Sequence, residues 1–321
     1  MPARRVRWGL LSTALINEAI ITGAGESARA EIAAVASRDA ARAEAYAREH
    51  VIPKAHGTYE ALLDDADVDA IYVSLPNSLH VEWAIRALEA GKHVLCEKPF
   101  SRRATEVERA FDIADRDGLV LSEGFMWRHN PQTKRLQELI GEGAIGELRV
   151  VRASFSFPLE TTRGAGDTRF RPDLDGGALM DLGCYCLSAI RLFLGEPVRL
   201  RGEQVVGPSG VDVVFTGTLG YESAAAQFDC SFVLPRRAEL ELAGEAGTIF
   251  VRDPWTIATP GFELRRGDEV EQIAVEPASS YRLELDNVSG AISGEEELLL
   301  GRDDALGQAR AIEALYASAE S

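Results

Sequence analysis

The chain has 321 residues, of which 34 are Lys or Arg and 51 are Asp or Glu, giving a formal net charge of −17 at pH 7. This acidity argues against nucleic acids and anionic membranes as partners, because binding to either depends on clustered basic residues. The length exceeds that of a typical single core and suits two domains.

Neither a membrane anchor nor a disulfide framework is expected. No uninterrupted apolar run approaches the roughly 18 residues that span a bilayer, and the first five residues lead directly into an apolar strand. We therefore expect no signal peptide and a cytoplasmic location. The cysteines, Cys96, Cys184, Cys186 and Cys230, are too scattered for a disulfide framework, and Cys184 and Cys186 lack the spacing of a zinc site. We expect buried free thiols and no metal site.

The first part of the chain, residues 1–123, alternates short apolar runs with amphipathic helical patterns. Strands are predicted at Val6–Leu11, 32–36, 70–75, 93–96 and 119–121, and helices at Ala40–Glu49, 78–90 and 105–116. Alternation of strand and helix requires crossover connections and predicts a doubly wound parallel sheet. We assign residues 1–123 to a first, α/β domain.

From residue 124 onward the pattern changes. A helix is predicted at 132–142, followed by strands at 148–157, 211–219, 224–233, 238–242 and Thr248–Val251. Turn signals such as Arg266-Gly267-Asp268 separate closely spaced strands, which predicts a largely antiparallel sheet. Two further helices, at 281–292 and 304–319, are predicted to close this second, α+β domain, which we place at 124–321.

The turn after the first strand resembles a dinucleotide-binding turn only in part. It reads Ser12-Thr13-Ala14-Leu15-Ile16-Asn17. The dinucleotide fingerprint has glycines where this chain has Ser12, Ala14 and Asn17, to allow a tight turn, close approach of a pyrophosphate and helix packing. Small residues at the first two positions still allow a phosphate to approach, and a helix N-terminus attracts it. The alternative is an ordinary strand-to-helix turn.

The end of the second strand indicates which dinucleotide would bind. NAD sites place Asp or Glu there to bind the ribose hydroxyls, whereas this chain has Ser37 and Arg38 before Asp39. A hydroxyl and a guanidinium suit a 2′-phosphate. We therefore predict NADP as the cofactor, with NAD as the alternative. Arg38 could instead be a solvated side chain at a helix start.

Three residues suggest the chemistry. Lys98, in the string Glu97-Lys98-Pro99, ends a predicted parallel strand, where open α/β sheets bind ligands. Asp181 and Tyr185 lie one helical turn apart. A lysine beside a tyrosine lowers the phenol pKa and makes a proton-transfer pair, while Asp181 would orient a substrate hydroxyl. This combination predicts a nicotinamide-dependent oxidoreductase acting on sugars. The alternatives are a surface lysine, a core tyrosine and an aspartate that only braces its helix.

An ordered set of motifs resembles the Gfo/Idh/MocA oxidoreductases over essentially the whole chain. The motifs are Trp8-Gly9-Leu10-Leu11-Ser12-Thr13-Ala14, Pro76-Asn77-Ser78-Leu79-His80, Glu97-Lys98-Pro99, Gly124-Phe125-Met126-Trp127-Arg128 and Gly176-Gly177-Ala178-Leu179-Met180-Asp181-Leu182-Gly183-Cys184-Tyr185. Tyr185 stands where many members have histidine. This tyrosine makes the chain most similar to the branch of NADP-dependent D-xylose 1-dehydrogenases, dihydrodiol dehydrogenases and glucose-fructose oxidoreductase.

The resemblance implies a Rossmann sheet followed by an α+β domain with a large, mainly antiparallel, open-faced sheet. It also implies roles for particular residues. Ser12, Thr13, Ala14, Leu15 and Ile16 would cradle the pyrophosphate, Leu75, Pro76, Asn77 and His80 would lie along the cofactor, Glu97 with Lys98 would reach the nicotinamide ribose and the substrate, and Trp127 with Arg128 would contact the cofactor from the other side. The alternative to cofactor binding by His80 is a structural role. Family members generally pair through the open sheet face, so a homodimer or homotetramer is expected.

The function predicted from these observations is hydride transfer between NADP and a sugar or polyol, with an aldose such as D-xylose as the best candidate. One alternative is a ketoreductase of nucleotide-linked keto sugars, which should need a further basic surface. Others are an NAD-dependent glycosidase and a regulatory protein that binds the dinucleotide without turnover. Intact Lys98, Asp181 and Tyr185 argue against the regulatory protein. Arg169 and Arg171 lie in a Gly-rich loop that either closes over substrate or is solvated.

Overall fold

The computed structural model describes residues 4–320. Ser321 and the first three residues lie outside it, and these three residues are part of the N-terminal segment in which we expect no signal peptide. The chain forms two compact units. The first unit comprises the residues up to Met126 together with Ser279–Leu306, and the second comprises Trp127–Ala278 together with the residues from Gly307 onward.

The first unit contains a six-stranded parallel sheet in the order β3-β2-β1-β4-β5-β6. Its strands are β1 Val6–Leu11, β2 Ala30–Ala36, β3 Lys54–His56, β4 Ala70–Val73, β5 His93–Glu97 and β6 Leu121–Gly124. Strand β4 is buried at every position, as expected for a parallel strand covered on both faces. The predicted doubly wound sheet is confirmed, and its order reverses between β1 and β4, where such sheets bind ligands.

Helices cover both faces of this sheet. They are α1 Asn17–Glu26, α2 Ala40–Glu49, α3 Tyr59–Leu63, α4 His80–Glu89, α5 Ala104–Asp117 and, from much later in the chain, α9 Ser280–Ile292. Leu285 and Val288 of α9 join Trp8 and Tyr72 in the core, and the Trp8 indole Nε1 donates to Ser289 Oγ at 3.1 Å. The segment 279–306 therefore completes the hydrophobic core of the first unit. The domain boundary predicted from the sequence, at residue 123, instead assigns this segment to the second domain.

The second unit contains an eight-stranded sheet in the order β14-β13-β12-β11-β7-β10-β9-β8. Its strands are β7 Leu148–Ser156, β8 Arg199–Val206, β9 Asp212–Gly220, β10 Ala225–Ser231, β11 Arg237–Gly244, β12 Thr248–Val251, β13 Gly261–Arg266 and β14 Glu269–Ala274. All neighbouring pairs are antiparallel except β7 with β10. The predicted, largely antiparallel sheet is confirmed.

The remaining helices of the chain are α6 Pro131–Gly141, α7 Leu159–Arg163, α8 Cys184–Leu194 and α10 Arg302–Ala319, of which α10 has residues in each unit. Helix α8 packs on β7 and β10. Phe155 and Phe228 on this side are buried, whereas Arg152 and Gln227 on the other side are exposed. One face of the sheet is therefore covered by helix within the unit and the other is open.

A helical stretch across Pro172–Leu194 is long and apolar enough to cross a membrane by length and mean hydropathy alone. The prediction from the sequence considered only uninterrupted apolar runs and therefore did not identify this stretch. Because 72% of its apolar window is buried inside the fold, it is a core helix rather than a membrane span. All four cysteines are buried and free, as predicted.

Candidate active site

The turn after β1 joins the carboxyl ends of the two central strands. Ser12 has φ of 155°, which explains why glycine is usual at this position. Its hydroxyl shares a 2.7 Å hydrogen bond with Ser74 Oγ, just past β4, and accepts from the Ala14 amide at 3.1 Å. The serine that replaces the first glycine therefore ties β1, β4 and the turn together at the switch point of the sheet.

Asn17 replaces the third glycine of the fingerprint and stabilises the turn differently. It is fully buried at the start of α1, and its Nδ2 donates to the Ser12 carbonyl at 2.7 Å. The backbone N–H groups of Thr13, Leu15 and Ile16 make no hydrogen bond within residues 4–320. Unused amides ahead of a helix N-terminus are the donors that a pyrophosphate requires, so the turn fits a dinucleotide despite its missing glycines.

The end of β2 presents basic rather than acidic side chains. Asp39, the nearest acidic residue, accepts from the Arg42 amide at 3.2 Å and thereby caps α2. Burial raises the pKa of Tyr59, while the guanidiniums of Arg38 and, more weakly, Arg42 lower it. The Tyr59 hydroxyl is thus close enough to Arg38, which follows the buried Ser37, to be influenced by its charge, and more weakly by that of Arg42. Sequence reasoning identified Ser37 and Arg38 but missed Arg42 and Tyr59, which only the fold brings to this edge.

His80 connects the ends of β4 and β5. Its Nδ1 lies 2.9 Å from the Pro99 carbonyl and its Nε2 lies 2.7 Å from the Leu75 carbonyl. Burial lowers its pKa to about 4, although both carbonyls act to raise it. Both ring nitrogens thus face carbonyl oxygens, to one of which a neutral ring can donate and to both of which a protonated ring can donate. The ring holds Leu75 and the peptide next to Lys98 in place, a supporting position along the predicted cofactor site.

Glu97, immediately before Lys98, belongs to a buried polar cluster. The Tyr72 hydroxyl donates to Glu97 Oε1, and the Lys98 amide donates to Oε2 at 3.3 Å. Glu284 of α9 is buried nearby, and burial together with the Glu97 charge holds the pKa of its carboxyl well above the usual range. These contacts fix the backbone from which Lys98 projects at the carboxyl end of β5, as the sequence predicted.

In the second unit, Asp181 is paired with an arginine from the preceding loop. Asp181 lies in a π-helical turn, Leu179–Gly183, which continues into α8. Arg169 Nε lies 2.8 Å from Asp181 Oδ2, and Arg169 Nη1 also contacts Asp167 at 3.2 Å. Asp181 is the largest influence raising the pKa of the Arg169 guanidinium. The loop arginine is therefore paired with Asp181, although 38% of its side chain stays exposed.

Tyr185 stands in the first turn of α8, partly exposed among aromatic rings. Its ring centroid is 5.5 Å from that of Phe155, edge to face, and 6.0 Å from that of Trp255. The Trp255 indole donates to the Ser154 carbonyl at 3.1 Å and is fixed by that bond. Such packing restricts the tyrosine ring to one orientation, as a proton-transfer group requires.

Trp127 and Arg128 are buried in the second unit. The Trp127 ring lies edge to face with Trp255, with centroids 5.5 Å apart. Arg128 Nη1 donates to Ser188 Oγ on α8 at 3.3 Å. Arg128 therefore contacts the helix that carries Tyr185, and Trp127 packs on the Trp255 ring that adjoins Tyr185. The predicted contact of both residues with the cofactor stays a prediction.

Comparisons with known proteins agree with this arrangement. The Gfo/Idh/MocA model described as an oxidoreductase family with an NAD-binding Rossmann fold matches residues 12–125, and the family's C-terminal domain model matches residues 133–250. D-xylose 1-dehydrogenase (NADP(+)) 2 of Haloferax volcanii is 38% identical over 319 residues, which cover 98% of this chain and 97% of that protein.

Further matches are to a sequence and a solved structure from Actinomadura kijaniata. The dTDP-3,4-didehydro-2,6-dideoxy-alpha-D-glucose 3-reductase of Actinomadura kijaniata is 34% identical over 295 residues, 90% of this chain and 88% of that protein. The crystal structure of KijD10, a 3-ketoreductase from Actinomadura kijaniata in complex with NADP and TDP-benzene, has a TM-score of 0.91 at 31% identity and covers 98% of each chain. The chain belongs to the Gfo/Idh/MocA family of oxidoreductases.

Proposed function

We propose that this protein transfers a hydride between NADP and a hydroxyl or carbonyl carbon of a sugar or polyol, with an aldose such as D-xylose as the first candidate. The observation that carries the proposal is the helix with Asp181 and Tyr185, on which Arg169 holds Asp181 through a 2.8 Å ion pair. A carboxylate kept ionised accepts hydrogen bonds from hydroxyls, and a restrained phenol exchanges a proton with a neighbouring one. The NADP-dependent D-xylose dehydrogenase relative supports the same class of substrate.

Residues of the first unit would hold the cofactor. The amides of the turn at 12–16 would bind the pyrophosphate, and Ser37 with Arg38 would bind the 2′-phosphate, assisted by Arg42. Leu75, Pro76, Asn77 and His80 would lie along it, and Glu97 with Lys98 would reach the nicotinamide ribose. The complex of the related ketoreductase with NADP supports this choice of dinucleotide.

In the oxidative direction, Tyr185 would accept the proton of the reacting hydroxyl, and Lys98 would favour the phenolate form that makes this transfer possible at neutral pH. Asp181 would accept a hydrogen bond from a second hydroxyl and so orient the substrate. The nicotinamide, when bound, accepts or supplies the hydride. In the reductive direction Tyr185 would return the proton to the carbonyl oxygen.

The test is to mix the purified protein with NADP or NAD and a panel of aldoses and polyols, and to follow the nicotinamide absorbance. We expect one group of neutral sugars to reduce NADP faster than NAD. Tight NADPH binding without reduction of the dinucleotide by any sugar in the panel would contradict the proposal.

The second candidate is a ketoreductase acting on nucleotide-linked keto sugars, which the Actinomadura relatives favour. Oxidation of NADPH by a TDP-linked 3-keto sugar, with free aldoses inert, would select this function. The same Lys98 and Tyr185 would serve either substrate, so the two candidates differ in substrate and not in chemistry.

We also infer a homo-oligomer that forms through the open face of the eight-stranded sheet. A row of paired residues crosses that face from β8 to β11, namely Arg201, Thr218, Gln227, Arg152 and Glu241. The row is basic at one end and has an Arg152–Glu241 ion pair of 2.8 Å at the other. Opposite charges on one face suit pairing about a two-fold axis. Light scattering should show a dimer or tetramer that Gln227→Arg weakens. A monomeric wild-type protein would refute the inference.

We also infer a cytoplasmic location, with which the free thiols of the four cysteines agree.

A further inference from the structure

Asp212, the first residue of β9, is a buried carboxylate that contacts the start of the helix carrying Asp181 and Tyr185. It is 4% exposed. Its Oδ2 accepts a hydrogen bond from the Leu179 amide at 2.7 Å, and its Oδ1 accepts from the Tyr316 hydroxyl at 2.9 Å. Leu179 is the first residue of the π-helical turn that contains Asp181.

A helix normally receives a carboxylate or hydroxyl cap from the residue just before it, because the first-turn amides lack partners within the helix. Here that residue is Ala178, which has no polar side-chain atom, and it makes no side-chain cap. Asp212 supplies the missing acceptor from 33 positions later in the chain. Its negative charge also suits the positive end of the helix dipole.

The double glycine of the motif at 176–177 allows this contact. A Cβ atom on Gly177 would lie 2.1 Å from Asp212 Oδ1, and Gly177 has φ of 128°. A Cβ atom on Gly176 would lie 2.3 Å from the carbonyl oxygen of Arg169. The Asp181 amide in turn donates to the Gly177 carbonyl at 3.0 Å. The chain therefore gives up side chains at both positions to bring Asp212 and the Arg169 loop against the start of the helix.

Tyr316 fixes the carboxylate from the other side. It is buried on α10, and its ring lies edge to face with Phe215 of β9, with centroids 5.6 Å apart. Its hydroxyl donates to the oxygen that does not receive the Leu179 amide. Both carboxylate oxygens of Asp212 are thus held, one by the helix and one by Tyr316.

We propose that Asp212 and Tyr316 are positioning residues of the active site, which fix the π-helical turn and thereby the places of Asp181 and Tyr185. The proposal rests on the proposed function, because it gives Asp181 and Tyr185 their catalytic importance. Neither Asp212 nor Tyr316 contacts substrate in this account. They act through the backbone of residues 177–181.

The test compares Asp212→Ala, Asp212→Asn and Tyr316→Phe with a control, Glu222→Gln, which removes an exposed carboxylate in the turn between β9 and β10. Asparagine can accept from the Leu179 amide through its oxygen and donate to the Tyr316 oxygen through its nitrogen, whereas alanine can do neither. We expect Asp212→Ala to lower kcat about 30-fold and Tyr316→Phe about fivefold, since small displacements at a catalytic group cost up to about 100-fold. Asp212→Asn and the control should stay within about threefold of wild type, with NADPH binding unchanged in all four.

A structural readout separates this proposal from the proposed function. Amide hydrogen exchange of residues 178–185 should be faster in Asp212→Ala than in wild type and unchanged in the control, whether or not any sugar is turned over. An exchange pattern in Asp212→Ala equal to that of wild type would overturn the proposal. So would kcat losses as large in Asp212→Asn as in Asp212→Ala. If the wild type turns over no sugar while the exchange result holds, the proposed function fails and the positioning of the helix stands.

Discussion

The Arg169 guanidinium holds the Asp181 carboxylate from outside its helix, with Nε 2.8 Å from Oδ2. Asp181 and Arg169 are 12 positions apart and belong to different elements, a π-helical turn and the loop before it. An arginine in this position occupies one carboxylate oxygen and limits which further hydrogen bonds the carboxylate can accept. In the proposed function, the loop and the helix would recognise the substrate together.

Arg169→Ala should raise the KM for the sugar about 10- to 100-fold, because a hydrogen bond to a charged group contributes about 1.5–3 kcal/mol. Steady-state kinetics with saturating NADP measure this change. Arg171→Ala is the matched control. Arg171 is exposed, and within residues 4–320 its ion-pair partner is Asp173 alone. Equal effects of the two substitutions would show that Arg169 has no special role.

Arg38→Ala should weaken NADPH about 10- to 100-fold and NADH by less than about twofold, because only NADPH carries the 2′-phosphate. Fluorescence titration of each dinucleotide measures the two affinities. Arg48→Ala, on the exposed side of α2 and paired with Glu44, is the control. Adding Arg42→Ala to Arg38→Ala should weaken NADPH further. Equal losses for both dinucleotides in Arg38→Ala would mean that Ser37 and Arg38 do not select the phosphate.

Asn17→Asp should be more damaging than Asn17→Ala. The aspartate cannot donate to the Ser12 carbonyl and places a carboxyl group in a fully buried site, whereas alanine only removes the donor. We expect losses in unfolding free energy of about 1–3 kcal/mol for alanine and more for aspartate, measured by urea denaturation. A neutral Asn17→Ala would mean that the Asn17–Ser12 bond does not stabilise the turn.

The pH dependence of stability should reveal Asp212. Burial raises the pKa of its carboxyl to about 6, although the amides of Leu179 and Ala178 and the Tyr316 hydroxyl lower it. The Cys230 thiol of β10 is influenced by the Asp212 charge, and burial raises the pKa of this thiol. Because the folded pKa exceeds the usual value, the protonated carboxyl is favoured on folding. Its contribution is complete below about pH 4 and is lost as the pH rises through 6.

Asp212→Asn removes this titration. The melting temperature of Asp212→Asn relative to wild type should therefore increase between pH 5 and pH 8, by the equivalent of about 1.4 kcal/mol, because about one pKa unit of the shift is lost between these pH values. Melting curves of both proteins at the two pH values, with Glu222→Gln alongside, measure the change. A difference in melting temperature that does not vary with pH would place the pKa of Asp212 in the ordinary range.

The strands that could be predicted from the sequence are those made of buried apolar runs. Strand β4 is buried at every position and β1 at every position except Arg7, and the predicted run at 6–11 coincides with β1. Strands β8 and β14 were not predicted, because they are the two edges of their sheet and expose mostly polar residues. Helix α9 shows no sign in its own sequence that it packs against strands more than 180 residues earlier.

The site was predictable where a residue's place follows from its strand. Lys98 and Arg38 follow buried strands, so that their location at the carboxyl edge of a parallel sheet could be inferred. Asp212, Tyr59 and the pairing of Arg169 with Asp181 depend on contacts between distant segments, and no local pattern marks them. The two glycines before Ala178 were the only local sign that something must approach this helix start closely.

The most direct test of the central claim follows the hydride itself. The protein is incubated with NADP and D-xylose deuterated at C1, or with the best sugar of the panel labelled at its reacting carbon, and the NADPH formed is analysed by mass spectrometry. We predict that NADPH carries one deuterium, that Tyr185→Phe and Lys98→Met form almost none, and that both variants bind NADPH within a few-fold of wild type. NADPH without deuterium, or near-normal turnover by Tyr185→Phe, would contradict the account.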